Sequence, residues 1–209
     1  MTVRRDAGVT VEETGANQRW ADGADREAGD AALRALMVAY QAGDGAAFEA
    51  LYETLSRPIG GYLRALSRDA VRAEDLLQET FLQLHRARHT YLPSRPVRPW
   101  VYAIARNVFL MSRRAAARRG RHETPADGEL PDFPVLPEVD DLGDRDAVRK
   151  ALATLPEDRR EALLLHHVWG LSFREVAAVQ GISEAAAKLR AHRGVVALRE
   201  RLRTGGGRG

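Results

Sequence analysis

The stretch SFREVAAVQGISEAAAKLRAHR, residues 172–193, decides the fold of the C-terminal part of this chain. Ser172 and Glu175 form the S-x-x-E pattern of a capping box, which starts a helix. Gly181 stands where the chain must turn, because glycine accepts the positive φ that a tight turn often needs. Ser183 is a second N-cap, from which a longer helix continues. The stretch therefore predicts a helix-turn-helix.

The second helix of this pair is basic. Between residues 183 and 203 two acids, Glu184 and Glu200, stand against six cations, which are Lys188, Arg190, Arg193, Arg199, Arg201 and Arg203. A helix-turn-helix with such a second helix is typical of proteins that place that helix in the major groove of DNA. The alternative is a pair of ordinary amphipathic helices with a solvated basic face.

Composition narrows the class of protein. A chain of 209 residues is long enough for one or two domains with buried cores. It has no cysteine, which excludes disulfides, cysteine zinc sites and a thiol nucleophile. No apolar run approaches the roughly 20 residues of a membrane span, and the N-terminus lacks the apolar core of a secretory signal. These features predict a cytoplasmic protein with no membrane insertion.

No motif of an active site stands out along the chain, so the sequence predicts neither an enzyme nor a cofactor. Two histidines, His166 and His167, are adjacent. On a helix they point about 100° apart, which makes shared chelation of one metal ion difficult. We therefore predict no metal site.

The chain's charge is strongly segregated. Residues 106–121 hold six arginines and no acid, whereas residues 122–144 hold eight acids, four prolines and no lysine or arginine. Prolines break helices and like charges repel, so the second segment predicts a linker, which either shields the basic modules from DNA or is simply solvated. The predicted organisation begins with a disordered tail (residues 1–28) and a first domain (29–120). A flexible acidic linker (121–144), a second domain (145–204) and a short tail (205–209) follow.

Apolar residues recur at helical spacing on both sides of this linker, beginning with Leu33, Leu36, Met37 and Tyr40. No alternating pattern of useful length appears, so we predict an all-α chain of two small helical domains. Pro58 is expected to start or kink a helix. Residues 69–72 are expected to form a short turn, with a helix over about residues 73–87. Residues 89–99 hold three prolines and predict a loop.

An acidic stripe marks the helix of residues 73–84, AEDLLQETFLQL. Asp75, Gln78 and Glu79 lie at i, i+3 and i+4 and so share one face, while the opposite face is apolar. An acidic face beside a DNA-binding module is suited to a basic protein partner. A plain solvated helix face is the alternative.

The segment RPWVYAIARNVFLMSRR, residues 98–114, mixes aromatic and cationic side chains. Aromatic rings beside arginines can stack unpaired bases and neutralise phosphates at the same time. The candidate residues are Trp100, Arg106, Asn107, Arg113 and Arg114. In the alternative, Trp100 belongs to the core and the arginines are solvated.

These segments, in this order and with the C-terminal helix-turn-helix, resemble the extracytoplasmic-function (ECF) sigma factors of bacterial RNA polymerase. The motifs are D-x-x-Q-E at residues 75–79, W-x-x-x-I-A-R-N at residues 100–107 and the region-four pattern from ALATLPEDRREALLL through the helix-turn-helix. The resemblance covers about residues 33–119 and 145–203.

The resemblance implies a promoter-specificity factor that binds polymerase core, at the beta-prime clamp helices and the beta flap, and promoter DNA. Asp75, Gln78 and Glu79 match the core-docking surface. The helix at residues 100–114 matches the element that recognises and opens the minus-ten region. The loop at residues 89–99 matches the pocket for a flipped base. The linker matches a segment that threads the polymerase channel. Minus-thirty-five contacts match Arg174, Lys188, Arg190 and Arg193. An anti-sigma factor is a common partner in this family.

The second helix departs from the family at its start. Ala186 and Ala187 stand where many relatives carry threonine and valine. Ala186 cannot donate the hydrogen bond that threonine makes to DNA, but its methyl group can contact a thymine methyl group. The runner-up function is a two-domain helix-turn-helix regulator that binds operator DNA without polymerase core, usually as a dimer.

Overall fold

The computed structural model describes residues 23–120, residue 130 and residues 145–205. These residues form eight α-helices and no strand, so the all-α prediction is confirmed. The helices are α1 (Gly23–Gln41), α2 (Gly45–Ser67), α3 (Ala70–Ala87), α4 (Val97–Arg118), α5 (Arg145–Ala153), α6 (Glu157–His167), α7 (Phe173–Gln180) and α8 (Glu184–Gly205), with a 3-10 turn at Arg88–Thr90.

The N-terminal unit, α1–α4, encloses a core of apolar side chains that includes Met37, Leu51, Ile59 and Leu84. Side-chain caps define where two of its helices, α2 and α3, begin. The Asp44 carboxylate accepts hydrogen bonds from the backbone N–H groups of Ala46 and Ala47 at the start of α2. Asp69 caps α3 in the same way, accepting from Arg72 N–H.

Two predicted boundaries in this unit were wrong, and one alternative for Pro58 is excluded. Helix α1 includes residues 23–28, which were assigned to a disordered tail; the remainder of that tail lies outside the described residues. Helix α3 begins at Ala70 because Asp69 caps it, so the expected turn at residues 69–72 is mostly helix. Pro58 does not start a helix, which was one of its two expected effects, because α2 continues through it with Leu55 and Ile59 on either side buried in the core.

The predicted loop at residues 89–99 is shorter than expected. Helix α4 begins at Val97, with Pro96 as its N-cap residue and Pro99 inside its first turn. Proline is tolerated there because the first N–H groups of a helix have no partner within it. The start of the segment is a 3-10 turn, which leaves a short connection that holds Tyr91 in the core.

The C-terminal unit, α5–α8, contains the predicted helix-turn-helix. Both halves of the Ser172 and Glu175 capping box are present, and Gly181 adopts the left-handed conformation with φ of 68°. The Ser183 hydroxyl accepts a hydrogen bond of 3.2 Å from Ala186 N–H and so caps α8. The prediction of two helices joined by a glycine turn is confirmed.

Helices α6 and α8 cross closely at Gly194. A Cβ atom at this position would lie 3.2 Å from the Arg159 carbonyl oxygen and 3.2 Å from Leu163 Cδ1. Glycine inside a helix costs roughly 1 kcal/mol relative to alanine. Here its small size lets the two helices approach.

The two units pack against each other through α4 and α7. At their junction the ring of Tyr62 lies 5.2 Å from that of Tyr102 and 5.4 Å from that of Trp169, both edge-on. Arg26 forms an ion pair with Glu175, and Arg68 donates to the Ala153 carbonyl oxygen. Of the predicted linker at residues 121–144, the structure describes only Leu130, which is buried. The other linker residues lie outside the described part of the chain.

Candidate polymerase and nucleic-acid interface

Helix α3 presents its predicted acidic face to solvent. Asp75 and Gln78 are exposed, while Leu76, Phe81 and other residues of the opposite face are buried. Glu79 is half-buried and accepts a hydrogen bond of 2.6 Å from the Gln83 amide on the same helix. Two of the three predicted docking side chains are therefore fully available to a partner, and the third is directed along its own helix.

Trp100 lies at the N-terminal end of α4. It is half-buried, packs against the core, and its ring lies 5.3 Å from the ring of Tyr91. The side chain thus has the mixed position that the sequence left open. It is anchored to the core and keeps part of its surface toward solvent.

The four polar candidates on α4 divide between two faces of the helix. Arg106 and Arg113, seven residues apart, both turn toward α6 of the C-terminal unit. Arg106 Nε lies 2.9 Å from Glu161 Oε1, and an Arg113 guanidinium nitrogen lies 2.7 Å from a Glu157 carboxylate oxygen. Asn107 and Arg114 follow one residue later in each case and are exposed.

Glu161 is a functional candidate that the sequence analysis missed. Its side chain is 4% exposed, and its carboxylate also accepts hydrogen bonds from the Tyr62 hydroxyl at 2.6 Å and the Gln180 amide at 2.9 Å. Burial, and next the Glu161 charge, raise the pKa of Tyr62 well above its usual value. The only signal in the sequence is an acid directly before the apolar run ALLL.

The helix-turn-helix cations also occupy two kinds of position. Arg174, Lys188 and Arg193 are exposed, although Lys188 forms an ion pair of 2.9 Å with Glu184 on the same helix. Arg190 is half-buried, donates to the Gln180 side-chain oxygen at 3.1 Å and lies 3.4 Å from Asp158. Its guanidinium therefore links α8 to α6 and α7.

Leu189 lies among the exposed residues of α8 and was also missed. The side chain is 47% exposed, and the neighbouring Lys188, His192 and Arg193 are exposed as well. Core contacts of the helix are made from its other side by small or apolar residues such as Ala187 and Ala191. In the sequence, Leu189 could have been recognised as an apolar residue that falls outside this core spacing.

The paired histidines lie in a partly apolar environment. His166 Nδ1 is 2.7 Å from the Leu171 carbonyl oxygen and its ring stacks on Phe173. Burial, and secondarily the neighbouring His166, lower the pKa of His167 from 6.5 to about 4. Within residues 23–120, 130 and 145–205, no three potential metal-binding side chains cluster.

The depressed pKa of His167 predicts a loss of stability in weak acid. The unfolded chain takes up a proton near pH 6.5 that the folded ring accepts only near pH 4, so the stabilisation is complete above the unfolded pKa and lost as pH falls toward 4. The ring is partly exposed, so we expect a loss of about 1–2 kcal/mol. Urea unfolding at neutral and weakly acidic pH measures it. His167→Gln should remove this component, whereas His192→Gln, at an exposed position, should retain it.

Comparison with known families decides what these two units are. The family model described as Sigma-70 region 2 matches residues 51–119, and the model described as Sigma-70, region 4 matches residues 145–198. The RNA polymerase sigma factor CarQ of Myxococcus xanthus is 42% identical over 164 residues, which cover 76% of this chain and 92% of CarQ. The chain belongs to the ECF sigma factors.

Other relatives agree with this assignment. The ECF sigma factor SigF of Caulobacter vibrioides is 34% identical, over 84% of this sigma factor and 96% of SigF. Mycobacterium tuberculosis SigL is 32% identical, over 76% and 90% of the two chains. As a member of this family, the sigma factor binds RNA polymerase core and promoter DNA in transcription initiation.

Solved structures show the same fold. CnrH, solved with the cytosolic domain of CnrY, gives a TM-score of 0.63 at 24% identity, over 83% of this sigma factor and 98% of CnrH. Bartonella quintana RpoE, solved with the anti-sigma factor NepR, gives a TM-score of 0.60 at 24% identity, over 75% and 96% of the chains. Among the described helices, none combines the length and the hydropathy of a membrane-spanning segment.

Proposed function

We propose that this sigma factor reads the minus-thirty-five element as duplex DNA with its C-terminal unit and opens the minus-ten element with its N-terminal unit. One observation carries the proposal: the helix-turn-helix exposes Arg174, Lys188 and Arg193, while the buried side of α8 packs against α6 and α7. This is the arrangement needed to lay a basic helix in a major groove.

Arg190 has a different role in this proposal. Its contacts to Gln180 and Asp158 fix the angle between α8 and the two helices below it. The side chain is 32% exposed, so part of it remains accessible. Arg190 therefore positions the recognition helix and makes at most an additional phosphate contact.

The minus-ten element is assigned to α4. Arg106, Asn107, Arg113 and Arg114 supply hydrogen-bond donors along one helix, and Trp100 supplies a ring at its start. Stacking on an aromatic ring is worth roughly 1–3 kcal/mol per base, which offsets part of the cost of opening the duplex. The connection before α4 is the proposed place for a flipped base.

Core binding is assigned to the exposed face of α3, with Asp75, Gln78 and Glu79 facing the beta-prime clamp helices. An exposed acidic face on a unit that also binds DNA is explained by a basic protein surface. The C-terminal unit is proposed to approach the beta flap. The two solved relatives are described with CnrY and NepR, which supports an anti-sigma factor as a further partner of this chain, in the cytoplasm.

Transcription in vitro tests the proposal. Purified core polymerase, with and without the sigma factor, is supplied with a library of genomic promoter fragments. Specific transcripts that require the sigma factor support the promoter role. Tight operator binding without core, and no initiation with it, would instead establish the two-domain regulator. Footprints of the assembled holoenzyme then locate the two promoter elements.

Leu189 is expected to read a thymine methyl group in the minus-thirty-five element. An exposed apolar side chain beside cations makes this contact in the major groove. Replacement of thymine by deoxyuridine removes one methyl group, worth about 0.8 kcal/mol, so holoenzyme affinity should fall about fourfold at the contacted position. Fluorescence anisotropy on a promoter from the transcription assay measures this.

The matched variants separate methyl recognition from general affinity. In Leu189→Ala holoenzyme, thymine and deoxyuridine promoters should bind alike. Arg193→Ala should weaken both and preserve the fourfold difference. An undiminished preference for thymine in Leu189→Ala would exclude the contact.

A further inference from the structure

We infer that the free sigma factor is held in a closed form, in which Glu157 and Glu161 of α6 pair with Arg113 and Arg106 of α4, and that promoter DNA competes with these two carboxylates for the arginines. Closure itself follows from contacts between the two units. Only the identity of the competitor rests on the proposed role of α4 at the minus-ten element.

The two ion pairs form a matched antiparallel set. Arg106 and Arg113 are two helical turns apart on one side of α4, and Glu157 and Glu161 are one turn apart on one side of α6. The earlier arginine meets the later glutamate, and the later arginine meets the earlier glutamate. Two pairs in this order define the position of α6 along α4, whereas one pair would allow rotation.

The Glu161 carboxylate gives the closed form its specificity. A buried charge is costly unless several partners compensate it. Two of its three hydrogen-bond donors, Tyr62 and Arg106, belong to the N-terminal unit, and only Gln180 belongs to its own unit. Separation of the units removes the first two donors together, so it must also expose the carboxylate to water.

The surroundings of the ion pairs also differ across the interface. The Glu161 pair lies near the buried aromatic group of Tyr62, Tyr102 and Trp169. The Arg113 and Glu157 side chains are 48% and 43% exposed, so water and salt screen their pair. Nucleic-acid phosphates can reach this outer pair first, and the inner pair opens afterwards.

Closure leaves the recognition face of α8 uncovered. In the described part of the chain, α8 packs against α5, α6 and α7 of its own unit, and α4 packs mainly with α7 across the interface. The closed form therefore blocks strand capture by α4 while the helix-turn-helix remains open. Because only open molecules can bind the strand, the apparent affinity of α4 for DNA is its intrinsic affinity multiplied by the fraction of molecules that are open.

The experiment uses the full chain and a charge reversal at the outer pair. Because the chain has no cysteine, dyes can be attached at Val71→Cys on α3 and Glu200→Cys on α8, both exposed positions. Energy transfer reports the separation of the units. In parallel, binding of a single-stranded oligo(dT) probe is measured by anisotropy. Glu157→Arg is compared with Asp146→Arg, which changes the charge equally on α5.

Glu157→Arg should lower energy transfer and tighten oligo(dT) binding about fivefold, because the lost pair becomes a repulsion that favours the open form. Asp146→Arg should change neither beyond its general charge effect. Combining Glu157→Arg with Arg113→Glu restores an opposite-charge pair and should restore high energy transfer. Glu161→Gln, which retains a hydrogen-bonding side chain, should open the units further.

The outcomes distinguish the inference from the proposed function. Unchanged energy transfer in both Glu157→Arg and Glu161→Gln, with both variants folded by circular dichroism, overturns the closed form. An equal gain in oligo(dT) binding for Glu157→Arg and Asp146→Arg overturns the competition. Lower energy transfer without tighter binding supports closure and overturns the assignment of these arginines to the single strand.

Discussion

Charge reversal at Asp75 is expected to weaken binding to RNA polymerase core by about a hundredfold, because a like charge placed against a basic surface costs several kcal/mol. Asp75 is exposed on α3, and its side chain supports no packing of the N-terminal unit. Asp75→Arg should therefore fold and melt like the parent. Titration of labelled core with the sigma factor gives the affinity.

A matched variant controls for net charge. Glu200→Arg makes the same change on α8, beyond the segment that matches the region-four model, and should bind core normally. Gln78→Ala should weaken binding less than Asp75→Arg, since it removes hydrogen bonds without adding repulsion. Core affinity that is equal in Asp75→Arg and the parent would rule out this face of α3.

Simultaneous replacement of Arg106 and Arg113 by alanine is expected to reduce initiation on duplex promoters by about a hundredfold. Hydrogen bonds to charged groups contribute about 1.5–3 kcal/mol each, so two lost contacts to the open strand reach this magnitude. Transcription from a template with a pre-melted minus-ten region should be largely rescued, because the cost of opening is removed. Abortive transcript yield on the two templates gives the ratio.

The control for this double variant lies on the same helix. Arg118→Ala with Arg119→Ala removes the same charge at the last residue of α4 and its C-cap residue, away from the Glu157 and Glu161 contacts. It should keep most duplex activity. If both double variants lose activity equally, the effect is general electrostatic attraction and the assignment of Arg106 and Arg113 fails.

Local chemistry explains which parts of the fold the sequence predicted. The capping box at Ser172 and the turn at Gly181 involve neighbours in sequence, and both are present as expected. Pro58 shows the opposite case. Its local rule favours a helix break, but packing of the flanking Leu55 and Ile59 in the core outweighs it. Packing of this kind depends on residues distant in sequence and leaves little local pattern.

The same distinction applies to the candidate site. Helical spacing alone predicted the exposure of Asp75 and Gln78. It did not predict that Arg106 and Arg113 would face α6 while Asn107 and Arg114 face solvent, because this division depends on where the second unit packs. The hydrogen bond between Tyr62 and Glu161 joins residues 99 positions apart. Helical spacing predicts only contacts between residues close in sequence, so the role of Glu161 could be recognised only in the folded structure.

The aromatic junction gives the protein an optical reporter of its own. Trp169 is 8% exposed, and its ring contacts those of Tyr62 and Tyr102 from the other unit. Indole emission shifts to longer wavelength when the ring enters water. Because Trp20 and Trp100 also emit, the variant Trp20→Phe with Trp100→Phe isolates Trp169. In that variant the emission wavelength follows separation of the units, and stopped-flow mixing with single-stranded DNA would time that separation.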